Sequence, residues 1–225
     1  YLMTIWTDRE GLPSDTILDV AQDHSGYIWL ASYDGLVRFD GEKFSVLSAA
    51  EDGFDGKSAR VLEIAPDGTL WIGTNTAGLY AYFKGKFTRY GIGEGLPDLS
   101  VRSLAIDSDG IVWVGTANGV SKKKGDRFES AVPANSASFG IANFLLPLHD
   151  GTVIVGSNMP GLWLITPKGV EPYLANQGIL AWSFSTAILD HSGQLWLGTS
   201  SGQIIRVSRN EIREKYEPSF LKGSS

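Results

Sequence analysis

The sequence predicts an all-β fold, a β-propeller of five four-stranded blades, and three observations carry that prediction. The first is a recurring octapeptide. Asp67-Gly68-Thr69-Leu70-Trp71-Ile72-Gly73-Thr74 returns as Asp109-Gly110-Ile111-Val112-Trp113-Val114-Gly115-Thr116 and as Ser192-Gly193-Gln194-Leu195-Trp196-Leu197-Gly198-Thr199, with weaker copies at 25–32 and 150–157. The second is the period. Trp29, Trp71, Trp113, Ile154 and Trp196 stand 42, 42, 41 and 42 residues apart. A repeat of about 40–45 residues with four strands is that of a propeller blade. The third is the character of the central segment, where Leu70, Trp71 and Ile72 are consecutive. A half-buried strand alternates, so a continuous apolar run needs cover on both faces, and stacked sheets supply it. A β-sandwich is the competing architecture, but its strands do not recur at a fixed spacing.

Each unit contains four short segments, a to d. Segment a precedes the Trp: 17–22, 61–64, 101–106, 142–146 and 186–189. Segment b carries it. A Gly opens segment c, as in Gly35-Leu36-Val37, Gly78-Leu79-Tyr80, Gly119-Val120, Gly161-Leu162-Trp163 and Gly202-Gln203-Ile204. Segment d follows at 44–47, 87–90, 127–129, 170–173 and 212–216. All are short, rich in Val, Ile, Leu and aromatic residues, and bounded by Gly, Asp, Asn or Pro, which reads as strand and turn rather than helix. The a–b turns take Asp-Gly or Ser-Gly pairs, where Gly supplies positive φ and Asp bonds its own backbone. Turn chemistry accounts for these carboxylates better than calcium, because they lie one per blade and do not cluster as an ion loop would.

The predicted propeller spans 1–217, with blades at about 12–50, 54–92, 97–132, 138–176 and 180–217, and a tail at 218–225. Blade 4 departs most: Ile154 replaces the Trp, Asn158-Met159-Pro160 fills its b–c turn, and Trp163 stands on strand c. Irregular packing is expected there. Residues 1–7 read as an isolated segment d, the outer strand of a neighbouring blade. They precede Glu10-Gly11-Leu12-Pro13 as Phe87-Thr88-Arg89-Tyr90 precedes Glu94-Gly95-Leu96-Pro97. Because 212–216 already fill the outer place in blade 5, one d strand is surplus. That favours an open arc of a larger ring over a closed five-bladed ring. An open arc would leave two apolar faces to drive self-association or pairing with further blades.

Composition narrows the function classes. The 225 residues are 43% hydrophobic and 20% charged, with 27 Gly and 7 Trp, a globular β composition. A formal charge of −6 without a basic patch argues against nucleic acid. Lys122-Lys123-Lys124 is the one basic run and reads as a solvated outer face. The absence of Cys excludes disulfides, thiol catalysis and Cys-based metal sites. No run of 18 apolar residues exists, so no helix of this segment is expected to insert in a membrane. The chain begins at Tyr1 without Met or signal peptide, so a preceding segment is expected to have been removed.

Ligand binding is expected where the d–a and b–c loops converge around the axis on one face. The d–a loops offer Ser14, Asp15, Lys57, Ser58, Arg60, Asp98, Ser100, Arg102, Phe139, Trp182 and Ser183, and the b–c loops Tyr33, Asp34, Asn75, Thr76, Asn118, Asn158, Met159 and Ser200. Trp182 lies off the motif position and follows a loop, which makes it the first candidate for an aromatic platform under a sugar; Tyr33 is the second. Arg60, Arg102, Asp34, Asn75, Asn118 and Asn158 would supply the polar contacts. The alternative for both aromatics is core packing. Trp29, Trp71, Trp113, Ile154 and Trp196 read as structural, packed between blades. No catalytic residue, metal site or cofactor is predicted, and no Gly-x-Ser-x-Gly or metal-binding His pair exists.

The pattern of Gly11-Leu12-Pro13-Ser14, Asp23-His24-Ser25-Gly26-Tyr27-Ile28-Trp29-Leu30 and Gly35-Leu36-Val37-Arg38-Phe39-Asp40-Gly41 resembles the two-component regulator propeller repeat. The resemblance covers about 1–217 and is poorest in blade 4. It implies an extracytoplasmic, periplasmic sensor domain of a bacterial membrane receptor with a histidine kinase, hybrid kinase or diguanylate cyclase output outside this segment. It implies a non-catalytic role and an unidentified small solute, a glycan fragment among the candidates. Members commonly have seven blades, so part of a ligand site would lie beyond these five. A scaffold that only dimerises or docks another protein is the alternative. The repeat is also similar to that of streptogramin lyases, which need His and acid groups around the channel. Here His24, His149 and His191 all fall in a–b turns, on the opposite face.

Overall fold

The computed structural model describes residues 3–14, 16–48, 53–56, 58–132, 140–179, 182–208 and 211–216. Each repeat folds into one antiparallel sheet whose strands lie side by side in chain order. Blade 1 is β1 (Ile17–Gln22), β2 (Ile28–Ser32), β3 (Gly35–Phe39) and β4 (Phe44–Val46). Blade 2 is β5 (Ala59–Ile64), β6 (Leu70–Thr74), β7 (Leu79–Phe83) and β8 (Lys86–Tyr90). Blade 3 is β9 (Val101–Ile106), β10 (Val112–Thr116), β11 (Gly119–Lys124) and β12 (Arg127–Ser130). Blade 4 is β13 (Ala142–Pro147), β14 (Val153–Ser157), β15 (Leu162–Thr166) and β16 (Gly169–Tyr173). Blade 5 is β17 (Phe184–Leu189), β18 (Leu195–Thr199), β19 (Ile204–Ser208) and β20 (Glu211–Tyr216). The first strands β1, β5, β9, β13 and β17 pack in succession around an axis. The five sheets do not close into a ring; they form an open arc.

The central strands explain the doubly apolar runs. Every residue of β6, β10 and β14 is buried. The motif side chain of each of the first four blades points at the next blade: Trp29 packs with Leu62, Leu70, Ile72 and Tyr80, and Trp71 with Leu104, Val112 and Val114. Trp113 does the same against Val153, Val155 and Ile165, and Ile154 against Leu195, Leu197, Ile205 and Val207. Gly73 lets two blades approach, since a Cβ there would meet Val101 Cγ1 at 2.5 Å and Val61 Cγ1 at 2.6 Å. Blade 4 is more regular than its sequence predicts. Ile154 is 1% exposed and fills the Trp position, while Trp163 packs toward Trp113 in the neighbouring layer.

The indole nitrogens reveal a second repeated device. Asp107 Oδ1 accepts from the Asp109 and Ile111 amides at 3.0 and 2.9 Å, closing the turn, and Oδ2 accepts from Trp113 Nε1 at 2.8 Å. Asp23 and Asp190 bind Trp29 Nε1 and Trp196 Nε1 the same way, each at 2.8 Å. Blade 2 keeps the indole but carries Ala65 where the carboxylate should stand, and Trp71 Nε1 is buried without a partner. Blade 4, with Leu148 and Ile154 at these positions, has neither half of the clamp.

The ends of the arc differ from its interior. Trp29, Trp71 and Trp113 are 1–6% exposed, whereas Trp196 has no following blade and is half-buried. Its face also presents Ile188, Ile204 and Tyr216, all more than 40% exposed. At the other end, residues 3–7 form no strand; only a 3-10 turn, Asp8–Glu10, follows them. Trp6 nevertheless meets Phe44 edge-on (6.3 Å, 80°), as Tyr90 of blade 2 meets Phe128 of blade 3 (5.3 Å, 82°). Glu10 caps the Thr7 amide at 2.6 Å just as Glu94 caps Gly91 at 2.7 Å. Residues 3–7 thus lie beside blade 1 where the outer strand of a preceding blade would lie.

Candidate functional site

The first strand of every blade carries the same irregularity. β1, β5, β9, β13 and β17 each skip one residue in their pairing with the next strand, and the skipped residues are Leu18, Arg60, Arg102, Asn143 and Ser185. A bulge of this kind leaves one residue unpaired and re-aims its side chain. All five line one cavity of about 410 Å³ on the axis of the arc, together with Asp19, Val61, Ser103, Leu104, Phe144, Leu145 and Thr186. The bulge residues lie at constant offset from the blade motif, so the repeat that stacks the sheets also builds a ring of five axial side chains.

Two of the five are arginines from adjacent blades. Burial, and then the charge of Arg102, lower the pKa of Arg60 below the ordinary guanidinium value. The Nε of Arg102 is shielded from solvent with no hydrogen-bond partner, and among the described residues neither arginine makes a salt bridge. The nearby carboxylate of Asp19 is committed to backbone: Oδ1 accepts from Val20 N and Oδ2 from Leu62 N, each at 2.8 Å. Burial and the Asp19 charge push Glu63, behind it on β5, up to about 7. Ser103 donates to the Ala142 carbonyl at 2.9 Å and Ser185 to the Gly198 carbonyl at 3.3 Å.

Of the residues the sequence singles out, the structure brings Arg60 and Arg102 together. Tyr33 is exposed in the β2–β3 turn and lies within electrostatic reach of Arg60, with Asp34 exposed beside it. Asn75 closes a loop, donating to Ser58 Oγ at 2.5 Å, and Asn158 does so by accepting from Ile141 N at 2.8 Å. Asn118 is an exposed turn residue. Trp182 lies away from the cavity. It packs against the core between blades 4 and 5, with Lys215 Nζ 4.2 Å from its ring centroid. Asp15, Lys57 and Phe139 fall outside the described residues. Leu18, Asn143 and Ser185 escaped the sequence reading, although each stands eleven residues before its blade's Trp29, Ile154 or Trp196, the offset of Arg60 and Arg102 from theirs. His24, His149 and His191 lie in the β1–β2, β13–β14 and β17–β18 turns, at the other end of the first strands from the bulges.

Residues 11–34 and 95–118 match the family model of the two component regulator propeller. These two stretches, in blades 1 and 3, are where the chain is similar to that family's repeat. Both matched stretches contain the bulge, the carboxylate clamp and the Trp. No curated relative matches the sequence. Among solved structures, the extracellular domain of the hybrid two component system BT3049 from B. thetaiotaomicron aligns with a TM-score of 0.77 and 22% identity, covering 93% of this chain and 31% of that one. The extracellular domain of the B. thetaiotaomicron system BT4673 aligns at 0.62 and 22% identity, over 93% of this chain and 34% of that one. The chain thus spans about a third of the length of either domain. Virginiamycin B lyase from Staphylococcus aureus aligns at 0.71 and 15% identity, over 89% of this chain and 69% of that one. What these structures share with the chain is the fold.

Proposed function

We propose that this arc of blades is the solute-sensing part of an extracytoplasmic, periplasmic signalling-receptor domain, non-catalytic itself, whose ligand sits at the axial bulge ring. The observation that carries the reading is the cavity. Five blades otherwise built for packing each direct the side chain of one residue skipped in the ladder to a common axis, and two of those are arginines that make no salt bridge among the described residues. Packing alone does not call for such groups, since a partly desolvated charge without a partner is costly. The match to the two component regulator propeller and the likeness to extracellular domains of such systems support the receptor context. A glycan fragment is a fitting solute class for a cavity that mixes polar groups with Leu18, Leu104 and Phe144. A thermal-shift screen of sugars, sugar acids and small metabolites tests it. A hit that raises the melting temperature of the native chain but not of Arg60→Gln, Arg102→Gln supports the reading. A hit unaffected by those changes places the ligand elsewhere, and hydrolysis or elimination of the hit would overturn the non-catalytic assignment.

A docking role is the second reading, and the free face of blade 5 favours it. Inside the arc the face that bears the motif side chain, Trp29, Trp71, Trp113 or Ile154, meets the opposite face of the next blade, so the occupant that fits Ile188, Trp196, Ile204 and Tyr216 is another blade of the same repeat. Supplied by a second copy, it makes the chain associate. Light scattering should then give a molar mass above 24.3 kDa that Ile188→Asp returns to 24.3 kDa. A monomer at every attainable concentration would refute self-association.

A further inference from the structure

The cavity is lined by two arginines and one aspartate, against the net negative charge of the chain as a whole. The chain carries a formal charge of −6. Yet at the ring two guanidinium groups face the axis from neighbouring blades, close enough that the charge of one perturbs the other. The carboxylate nearest to hand, Asp19, is turned to the amides of Val20 and Leu62 and pairs with neither arginine. Arg102 Nε is shielded from solvent and unsatisfied. Buried donors of a charged group are rarely left orphaned in a settled fold. Such a residue inside a cavity marks a site prepared for an acceptor that comes from outside. A guanidinium fork matches the paired oxygens of a carboxylate or a sulfate, and two forks can hold one such group from two sides. Beside the arginines, the amide of Asn143 and the hydroxyls of Ser185 and Thr186 line the same space. Those groups suit hydroxyls or ring oxygens on the body that carries the anion.

We infer that the bulge ring selects an organic oxyanion, a small hydroxylated solute whose carboxylate or sulfate group is held between Arg60 and Arg102. The inference rests on the sensing role proposed above and names the ligand class of that site. It also accounts for a local imbalance. Two like charges stand within electrostatic reach of each other, and their repulsion costs stability. Removing one charge should stabilise the unliganded protein while abolishing recognition.

The test uses the native chain and four probes at matched ionic strength: sodium glucuronate, sodium sulfate, neutral glucose and sodium chloride. The readout is the arginine Nε–Hε resonances by NMR, with melting temperature in parallel. Glucuronate or sulfate should shift the Arg102 Nε–Hε signal and raise the melting temperature, with glucose and chloride silent; glucuronate alone would point to a carboxylate on a sugar body, sulfate alone to a sulfate. Arg102→Gln and Arg60→Gln should weaken the responding anion at least about tenfold, the loss expected for one charged hydrogen bond. Arg60→Lys keeps the charge but loses the fork and should fall between. Without probe, Arg102→Gln should melt above the parent. Glucose binding as well as glucuronate would overturn the oxyanion assignment while leaving the sensing role standing. Anion responses unchanged by both glutamine variants would place the anion elsewhere. Silence of both anions and glucose, with no stabilisation in Arg102→Gln, would overturn the inference and remove the support the cavity gives to sensing.

Discussion

Replacing Asp107 by Ala removes three hydrogen bonds with one side chain. Two of them, to the Asp109 and Ile111 amides, close the β9–β10 turn; the third holds Trp113 Nε1. The amides lie near the surface and can turn to water, so their loss costs about 0.5–1 kcal/mol each. The indole nitrogen belongs to a residue only 6% exposed, and an orphaned buried donor costs about 1–3 kcal/mol. Asp107→Ala should therefore destabilise the chain by about 2–5 kcal/mol, lowering its melting temperature by roughly 4–20 °C for a chain of this size. Blade 2 supplies the reciprocal experiment. The Ala65 backbone already makes the clamp's turn, donating to the Thr69 carbonyl and accepting from Gly68, as Asp107 does with Ile111 and Gly110. Ala65→Asp should bring a carboxylate to the orphaned Trp71 Nε1 and stabilise the chain by about 1 kcal/mol, less than the Asp107 loss because the new charge is partly desolvated. Urea unfolding of the two variants, with Trp71→Phe added to each, separates the indole bond from the turn bonds. The reasoning fails if Asp107→Ala costs less than about 0.5 kcal/mol, or if Ala65→Asp gains as much with Phe at position 71 as with Trp.

Trp29→Ala should cost about 3–5 kcal/mol, the usual range for emptying a buried indole site, whereas Trp196→Ala should cost less than half as much because no blade covers it; equal losses by urea unfolding would contradict the open arc. Glu63, raised to about 7 by burial and by Asp19, has a folded pKa above its unfolded one, so the folded state holds its proton more tightly. Stability from this group is therefore highest below about pH 4 and falls as pH rises to 7 and beyond, by up to about 3 kcal/mol. Glu63→Gln should melt above the parent at pH 8 and level with it at pH 4, and a difference that does not change with pH would refute this. Asp190 is shifted the other way. The Ser192 hydroxyl, Trp196 Nε1 and the Gln194 amide hold its carboxyl well below the usual range. Its contribution is present above the unfolded pKa near 4 and is lost as pH falls toward the folded one. The melting difference between the parent and Asp190→Ala should be constant above about pH 5 and shrink between about pH 4 and pH 2; a difference that grows on acidification would contradict the bonds.

The repeat, the strand character of its four segments and the sheet-on-sheet burial of the central one are all legible along the chain. Those depend on local composition and on a period of 41–42 residues, both written along a single chain. The sequence also marked Arg60 and Arg102, but as d–a loop residues, whereas they stand near the start of strands β5 and β9. Where their side chains go is a matter of strand pairing and of the arrangement of the blades. A bulge is a register event between paired strands, so the re-aiming of residues 18, 60, 102, 143 and 185 toward one axis has no signature within any one strand. Trp182 shows the converse. Off the motif and after a loop, it looks free in sequence, yet the turn of the chain between blades 4 and 5 lays it on their shared core under Lys215. The arc's openness is likewise a tertiary matter: the tilt between successive sheets sets how many are needed to meet, and five leave Trp196 facing outward although its octapeptide matches those of the buried blades.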